Sequence, residues 1–366
     1  MNICMVVYNF VNNGIGKVVL TYSSELVKNG HVVTVLVGGP TEKRKTEEAA
    51  ELGISIVDLP NKKRRPLEYF KALRKALNVG LFDIVHIHGN SGMILPELIV
   101  ANCSRAVAVI CHCHSTGSKH PVLHQVLKPL VPHFCNCRFA CSAEAGEWLY
   151  GKSSFTILPN SFDIGAFAFD NASRKAIRRS YGIGDHTVVL GNVARLNPEK
   201  NHAFLIRVFE QFRKRNPDSL LMIVGGGPGE KEVRRLVESS PNKDFIIMLG
   251  NIDNPSKLYS AMDCFVFPSI HEGFGIVLVE AQISGLRCFV SDVVPRGACV
   301  SDRFYAIPLS SGADGWVDRI VAALGRPESR DADLIVDSRF ERFDIHASYR
   351  LLEGAYEKAL LRGVGK

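Results

Sequence analysis

Short runs of aliphatic and β-branched residues alternate with amphipathic stretches along almost all of this 366-residue chain. The runs have the length of buried strands. The stretches between them repeat their apolar positions every three or four residues, as helices do. Strands are expected at Ile3–Tyr8, His31–Val37, Ile54–Leu59, Ile84–His88, Ala106–Cys111, Phe139–Ser142 and Phe155–Leu158. Helices are expected at Val18–Lys28, stopped by Gly30, at 62–77, at Leu95–Asn102 and at Ala143–Tyr150, where Ser142 is a fitting N-cap. After Asn160 the pattern relaxes into a polar connection, and a second series follows. Its strands are Val188–Ala194, Leu220–Gly225, Phe245–Leu249, Cys264–Phe267, Cys288–Ser291 and Tyr305–Pro308. Its helices are Ala203–Asn216, Glu230–Ser239, Pro255–Ala261 and one closed by Gly285, and an amphipathic helix at Ile345–Arg362 ends the chain. Such alternation implies parallel βαβ units. The expected fold class is α/β, with two doubly wound domains and a hinge near 160–185, because this length favours two domains over one.

The stretch from His271 to Glu280 is the most informative. Glu272 lies in a strand-to-helix loop, next to Gly273-Phe274-Gly275, and Glu280 falls on the first turns of the helix that follows. Open α/β sheets bind ligands there, at the carboxyl ends of strands beside helix N-termini. Glu280 shares a helical face with Ile276 and Ile283. A carboxylate on that face is costly to bury unless hydrogen bonds reach it, and a hydroxyl-rich ligand supplies them.

Other segments have similar placement. Asn13-Gly14-Ile15-Gly16-Lys17 follows the first strand and opens a helix, which suits a phosphate; a plain tight turn explains it equally well. Arg195 and Lys200, at another strand end, suit a pyrophosphate by fork and by point charge, or are surface charges beside a Pro-Glu helix start. His86, His88, His112 and His114 end first-domain strands, where they face a cleft or are satisfied strand-end histidines. Cys111, Cys113, Cys135 and Cys137 provide four thiols near two of them. One-residue spacing in a strand seldom lets thiols converge on zinc, so no metal is expected. Asp331-Ala332-Asp333 reads as solvated loop, not a metal-binding pair.

The formal net charge of +7 suits anionic partners without choosing among them. Much of it lies in Lys62-Lys63-Arg64-Arg65 and the helix after it, where Leu67, Phe70, Leu73/Arg74 and Leu77 recur at helical spacing. That helix lies on an anionic membrane through 62–77, or is a surface helix with its apolar side in the core. The basic run lacks aromatics at base-stacking intervals, so nucleic acid is not expected. No apolar run is long enough to span a bilayer. The start, Met1–Tyr8, reads as a strand and not as a signal peptide, and the ten cysteines follow no disulfide framework; both point to a cytoplasmic location.

Together these segments resemble the retaining GT-B glycosyltransferases of the large family-four group, which use nucleotide-sugar donors. Glu272 to Glu280 matches its Glu-x7-Glu motif, Arg195 and Lys200 its Arg…Lys pair, and Asn13–Gly16 its glycine loop. Residues 83–90, 112–115 and 140–151 are similar to the subgroup that builds bacterial exopolysaccharide and capsule. The resemblance implies two Rossmann-like domains facing a deep cleft, an acceptor domain at 1–165 and a donor domain at 166–344, with the helix at 345–366 packing back on the first. It implies transfer of a hexose or N-acetylhexosamine from a nucleotide sugar, a UDP-sugar by the subgroup likeness. The acceptor would be a lipid-linked saccharide at the inner face of the cytoplasmic membrane, and neither cofactor nor metal would be needed.

Carried over by residue, Arg195 and Lys200 would stabilise the leaving pyrophosphate and Glu272 would hold donor-sugar hydroxyls. Glu280 would bind the ribose, and His112 or His114 would line the reaction centre. Backbone groups at Gly14, Gly16, Gly273, Phe274, Gly275 and Ile276 would complete the donor site. Asn13, Ala194, Arg287 and the Pro295-Arg296-Gly297 segment depart from the family pattern. The rivals are a nucleotide-sugar epimerase of the same fold, which needs no acceptor, and a non-catalytic subunit that binds membrane or a partner.

Overall fold

The computed structural model describes residues 1–11, 14–325, 330 and 338–363. Two compact units emerge, one of Met1–Phe162 with the segment beginning at Arg342, the other Asp163–Glu341.

The first unit is built on seven strands: β1 (Asn2–Val7), β2 (Val32–Val37), β3 (Ser55–Asp58), β4 (Ile84–Gly89), β5 (Ala108–Cys113), β6 (Cys137–Ala140) and β7 (Thr156–Ile157). All pair in parallel, in the order β3-β2-β1-β4-β5-β6-β7. Between them run α1 (Gly14–Lys28), α2 (Lys43–Glu51), α3 (Pro66–Val79), α4 (Leu95–Asn102), α5 (Pro121–Leu127) and α6 (Ala143–Tyr150). Alternate strand residues face opposite helix layers. Ile3, Met5 and Val7 pack with Val19, Tyr22 and Leu26 of α1, and with Leu352 and Tyr356 of the C-terminal helix Ile345–Gly363. Cys4 and Val6 pack with Leu73, Leu98 and Leu149 of α3, α4 and α6.

Three expectations change here. The α3 stripe is Tyr69, Leu73 and Leu77, turned into the core, while Leu67 is 78% exposed. The apolar side of 62–77 therefore faces the sheet and is not offered to a bilayer. Helix α2 was not foreseen because it buries only Lys45 and Ala49 and so shows no apolar stripe. β5 continues to Cys113, which places His112 inside the strand.

The second unit has six parallel strands: β8 (Val188–Val193), β9 (Ser219–Val224), β10 (Ile246–Gly250), β11 (Cys264–Phe267), β12 (Arg287–Ser291) and β13 (Phe304–Ile307). Their order is β10-β9-β8-β11-β12-β13. Its helices include α7 (Asn171–Ser180), α8 (His202–Arg215), α9 (Glu230–Ser239), α10 (Leu258–Ala261), α11 (Ile276–Ile283) and α12 (Gly312–Leu324). Helix α7 fills part of the expected polar connection. Asp170 caps it, and Arg174 and Arg178 reach Asp263 at 2.6 and 3.4 Å, so its charges tie it to the unit.

In both units strand order reverses beside the first strand, between β1 and β4 and between β8 and β11. At such a switch point the loops leave the sheet in opposite directions and open a crevice at the strands' carboxyl ends.

Candidate functional site

In the second unit the two strands flanking the switch point deliver the charged residues. β8 leads into Ala194-Arg195-Leu196, and the one-turn helix Pro198–Lys200 follows. Asn201 then takes a left-handed conformation, φ 54°, and starts α8. β11 leads through Ser269 and His271 to Glu272. The two loops are laced together: Ile270 N–H donates to the Glu199 carbonyl at 2.8 Å, and the Ser269 hydroxyl to the same oxygen at 2.9 Å. This brings Lys200 into an ion pair with Glu272 and sets its ammonium 5.0 Å from the centre of the Phe267 ring. Arg195 is exposed, whereas Lys200 and Glu272 are largely shielded.

Glu272 also accepts the Gly273 N–H at 3.1 Å. Gly275 starts α11 at φ 82°, a backbone state that L side chains rarely adopt. A Cβ there would lie 3.0 Å from Leu278 Cδ1 and 3.3 Å from Glu272 Cγ. Phe274 and Ile276 are half-buried on either side. The first N–H groups of α11 thus begin at Ile276, after the Gly273-Phe274-Gly275 turn that follows Glu272. One turn further, buried Glu280 accepts the Tyr259 hydroxyl at 2.6 Å. Burial, and then the charge of Glu280, holds the Tyr259 hydroxyl protonated, its pKa well above the ordinary value.

Two parts of this region were missed from sequence. One is Gly225-Gly226-Gly227-Pro228-Gly229, which packs on the Arg195 loop. Leu196 N–H donates to the Gly226 carbonyl at 2.9 Å, and Gly229 N–H to the Leu196 carbonyl at 2.8 Å. A Cβ on Gly225, φ 143°, would fall 1.8 Å from the Ala194 carbonyl oxygen. The signal was present, a glycine run at a strand end. The other is His202, buried at the start of α8, its pKa lowered to about 4 by burial and then by the Lys200 charge.

In the first unit the four candidate histidines form one stack. His86 and His88 lie on β4, His112 on β5 and His114 just beyond it; with two-residue spacing all four point to one face. Ring centroids are 4.2 Å apart for His86 and His88 and 4.1 Å for His112 and His114. His88 Nδ1 meets His114 Nε2 at 2.9 Å, and His86 Nδ1 meets the Tyr356 hydroxyl at 2.6 Å. All four are buried, and β5 runs two residues further than its apolar pattern suggested, which encloses His112 within the strand. Burial lowers the His114 pKa to about 4. It lowers His86, His88 and His112 well below the ordinary value, helped by the neighbouring imidazoles. His86, His88 and His112 bring one ring nitrogen each within 4.8 Å of one another, a grouping that a divalent cation can use.

Three of the four thiols gather: Cys111 is hydrogen-bonded with Cys135, and Cys113 lies in the same apolar cluster. Cys111 and Cys113 pack on the opposite face with Cys135, whereas Cys137 packs on the histidine side. Gly14, exposed, and Gly16, buried, form the first turn of α1. Asn13 and Asp331-Ala332-Asp333 lie outside the described residues.

Two family models match the chain, Glycosyltransferase Family 4 over residues 12–165 and Glycosyl transferases group 1 over residues 173–332. The chain is 29% identical over 303 residues to the EpsF protein of Bacillus subtilis, named as a glycosyltransferase, covering 77% of each chain. It is 26% identical over 269 residues, 68% of each chain, to the UDP-Gal:alpha-D-GlcNAc-diphosphoundecaprenol alpha-1,3-galactosyltransferase of Escherichia coli. Among solved structures, Anabaena HepE in complex with UDP and glucose matches with a TM-score of 0.77 at 16% identity, over 98% of this chain and 99% of that one. At that identity the likeness shows the fold. The two models cover the two units in chain order, and the chain belongs to glycosyltransferase family four, with the GT-B fold.

Proposed function

We propose that the chain transfers a hexose or N-acetylhexosamine from a UDP-sugar to a lipid-linked oligosaccharide, with retention at the anomeric carbon and without a metal. The product would enter bacterial exopolysaccharide, capsule or lipopolysaccharide, at the inner face of the cytoplasmic membrane. The observation that carries the reading is the Lys200–Glu272 pair at the β8/β11 switch point, with Glu280 buried eight residues further on. An arriving pyrophosphate competes for Lys200 and frees Glu272 to accept hydroxyls of the donor sugar. Arg195 meets the same phosphates from the neighbouring loop, and α11 N–H groups add donors. Glu280, on the first turns of α11, would bind the ribose hydroxyls of the nucleotide.

The chemical step is a front-face displacement in which the leaving phosphate takes the acceptor proton. The protein then mainly stabilises charge on the departing pyrophosphate, and cationic side chains take a metal's place. One of His112 and His114 would line the reaction centre near the donor sugar; both are buried, His112 within β5 and His114 just beyond it. Relatives support the substrate class through their names: the E. coli enzyme by UDP-Gal and a diphosphoundecaprenol acceptor, mycobacterial ones by GDP-mannose and phosphatidylinositol monomannoside.

A panel of UDP- and GDP-sugars, scored for nucleotide release with and without lipid-linked acceptors and chelator, tests this. Release should require a UDP-sugar and a lipid-linked acceptor and should survive chelation. Sugar isomerisation without acceptor would establish the epimerase instead. Failure to bind any nucleotide sugar would establish a non-catalytic subunit.

A further inference from the structure

The first unit carries an exposed apolar face that its fold does not use. On α5 and the turn after it, Val122 is 78% exposed, Leu123 42%, Val126 64% and Leu130 47%. Their spacing puts them on one side of the helix. The other side is firmly anchored. His124 is buried, stacks on Trp148 at 4.1 Å, and accepts the Gly92 N–H at Nδ1, 3.1 Å away. Val131 is buried in the core. The apolar side chains are thus held outward by a well-packed segment, and exposed apolar surface of this kind marks an interaction site.

Charge identifies the partner. No aspartate or glutamate occurs between Glu97 and Glu144, while Arg105, Lys119, Lys128 and Arg138 do. The basic run 62–65 joins the same edge. Lys62, ion-paired with buried Glu97, donates to the Met93 carbonyl at 3.2 Å, in the one-turn helix Gly92–Ile94 whose Gly92 N–H binds His124. Lys63 and Arg64 are exposed beside it, and Arg65 is paired with Glu68. An apolar face whose own segment carries bases and no acid is complementary to an anionic bilayer, which takes the aliphatic groups below its headgroups and the bases at its surface.

We propose that α5 and the turn through Leu130 form the surface that inserts into an anionic membrane, with Lys63, Arg64, Lys119 and Lys128 as its electrostatic rim. This rests on the reading that the acceptor is lipid-linked, and moves the membrane contact from the apolar side of α3, which is in the core, to α5.

The test uses the full chain and vesicles that contain neither donor nor acceptor. The protein should sediment with phosphatidylglycerol–phosphatidylcholine vesicles and not with phosphatidylcholine alone. The double variant Val122→Asp/Val126→Asp should lose vesicle binding at least about tenfold, with circular dichroism and thermal midpoint unchanged because both side chains are exposed. Lys119→Gln/Lys128→Gln should weaken binding about fivefold per charge at low salt. Lack of sedimentation of the wild type, or undiminished binding by the Asp variant, would overturn the proposal. A wild-type dimer that the Asp variant dissociates would do so too, by making the face a self-association surface. Because acceptor use is read separately, from nucleotide release with detergent-dispersed lipid-linked saccharide, failure of the surface and failure of the lipid-acceptor reading are distinct results.

Discussion

The two switch points of this chain occupy equivalent places in two sheets of the same strand order, yet they are filled with opposite chemistry. Between β8 and β11 lie a charged pair and a second carboxylate, with strand ends and a helix N-terminus around them. Beside β1 and β4 lie four imidazoles, all buried and all held neutral by burial. A pyrophosphate needs fixed positive charge where it departs. A sugar or acceptor hydroxyl needs neutral partners that both donate and accept, which imidazole provides. Equal topology therefore does not make the halves chemically alike; the side chains at the strand ends set them apart.

The largest expected effect tests the neutral half. A histidine whose pKa is lowered by burial binds its proton more weakly folded than unfolded. Its contribution to stability is complete above about pH 6.5 and is lost as pH falls toward the folded value. For His114, whose pKa lies near 4, the loss between those limits is about 3 kcal/mol. His86, His88 and His112, lowered in the same direction, steepen it. Thermal unfolding followed from pH 7 to 4 should show this acid limb, and His114→Gln should flatten it. An acid limb unchanged by that substitution would mean that the stack does not set acid stability.

Next comes the charged half. Lys200→Ala should lower kcat about a hundredfold, about 3 kcal/mol, with little change in nucleotide affinity, because the contact strengthens as the pyrophosphate departs. Steady-state kinetics with calorimetric nucleotide binding separate the two. Lys200→Arg keeps the charge and should recover part of the rate. Unchanged turnover in Lys200→Ala would leave the second switch point without its catalytic cation.

The architecture was legible in sequence because buried parallel strands are short apolar runs and their helices amphipathic. Helix α4 (Leu95–Asn102), α6 (Ala143–Tyr150), α9 (Glu230–Ser239) and β11 (Cys264–Phe267) match their expected bounds. Elements without an apolar stripe were not legible. Helix α7, which docks through Arg174 and Arg178, reads as a polar linker. At the charged site, spacing showed that Glu272 and Glu280 flank a helix start, but the ion pair of Lys200 with Glu272 spans 72 residues and needed the fold. At the histidines the two-residue spacing was visible, but burial and the stacking of β4 rings on His112 and His114 needed the fold.

The smallest effect sharpens the division within the charged half. Glu280→Gln leaves an acceptor for the Tyr259 hydroxyl, so the protein should remain folded. It removes the carboxylate charge that strengthens bonds to ribose hydroxyls. Donor KM should rise about tenfold, about 1.4 kcal/mol, with kcat changed little, since those bonds hold the ground and transition states alike. A 2′-deoxyribose donor analogue makes the assignment specific. If Glu280 holds that hydroxyl, the wild type should prefer the natural donor and the variant should discriminate much less, because the two changes remove one interaction. Equal discrimination by both proteins would move the ribose contact elsewhere and leave Glu280 as an anchor for Tyr259. The charged half would then reduce to the ion pair at Glu272.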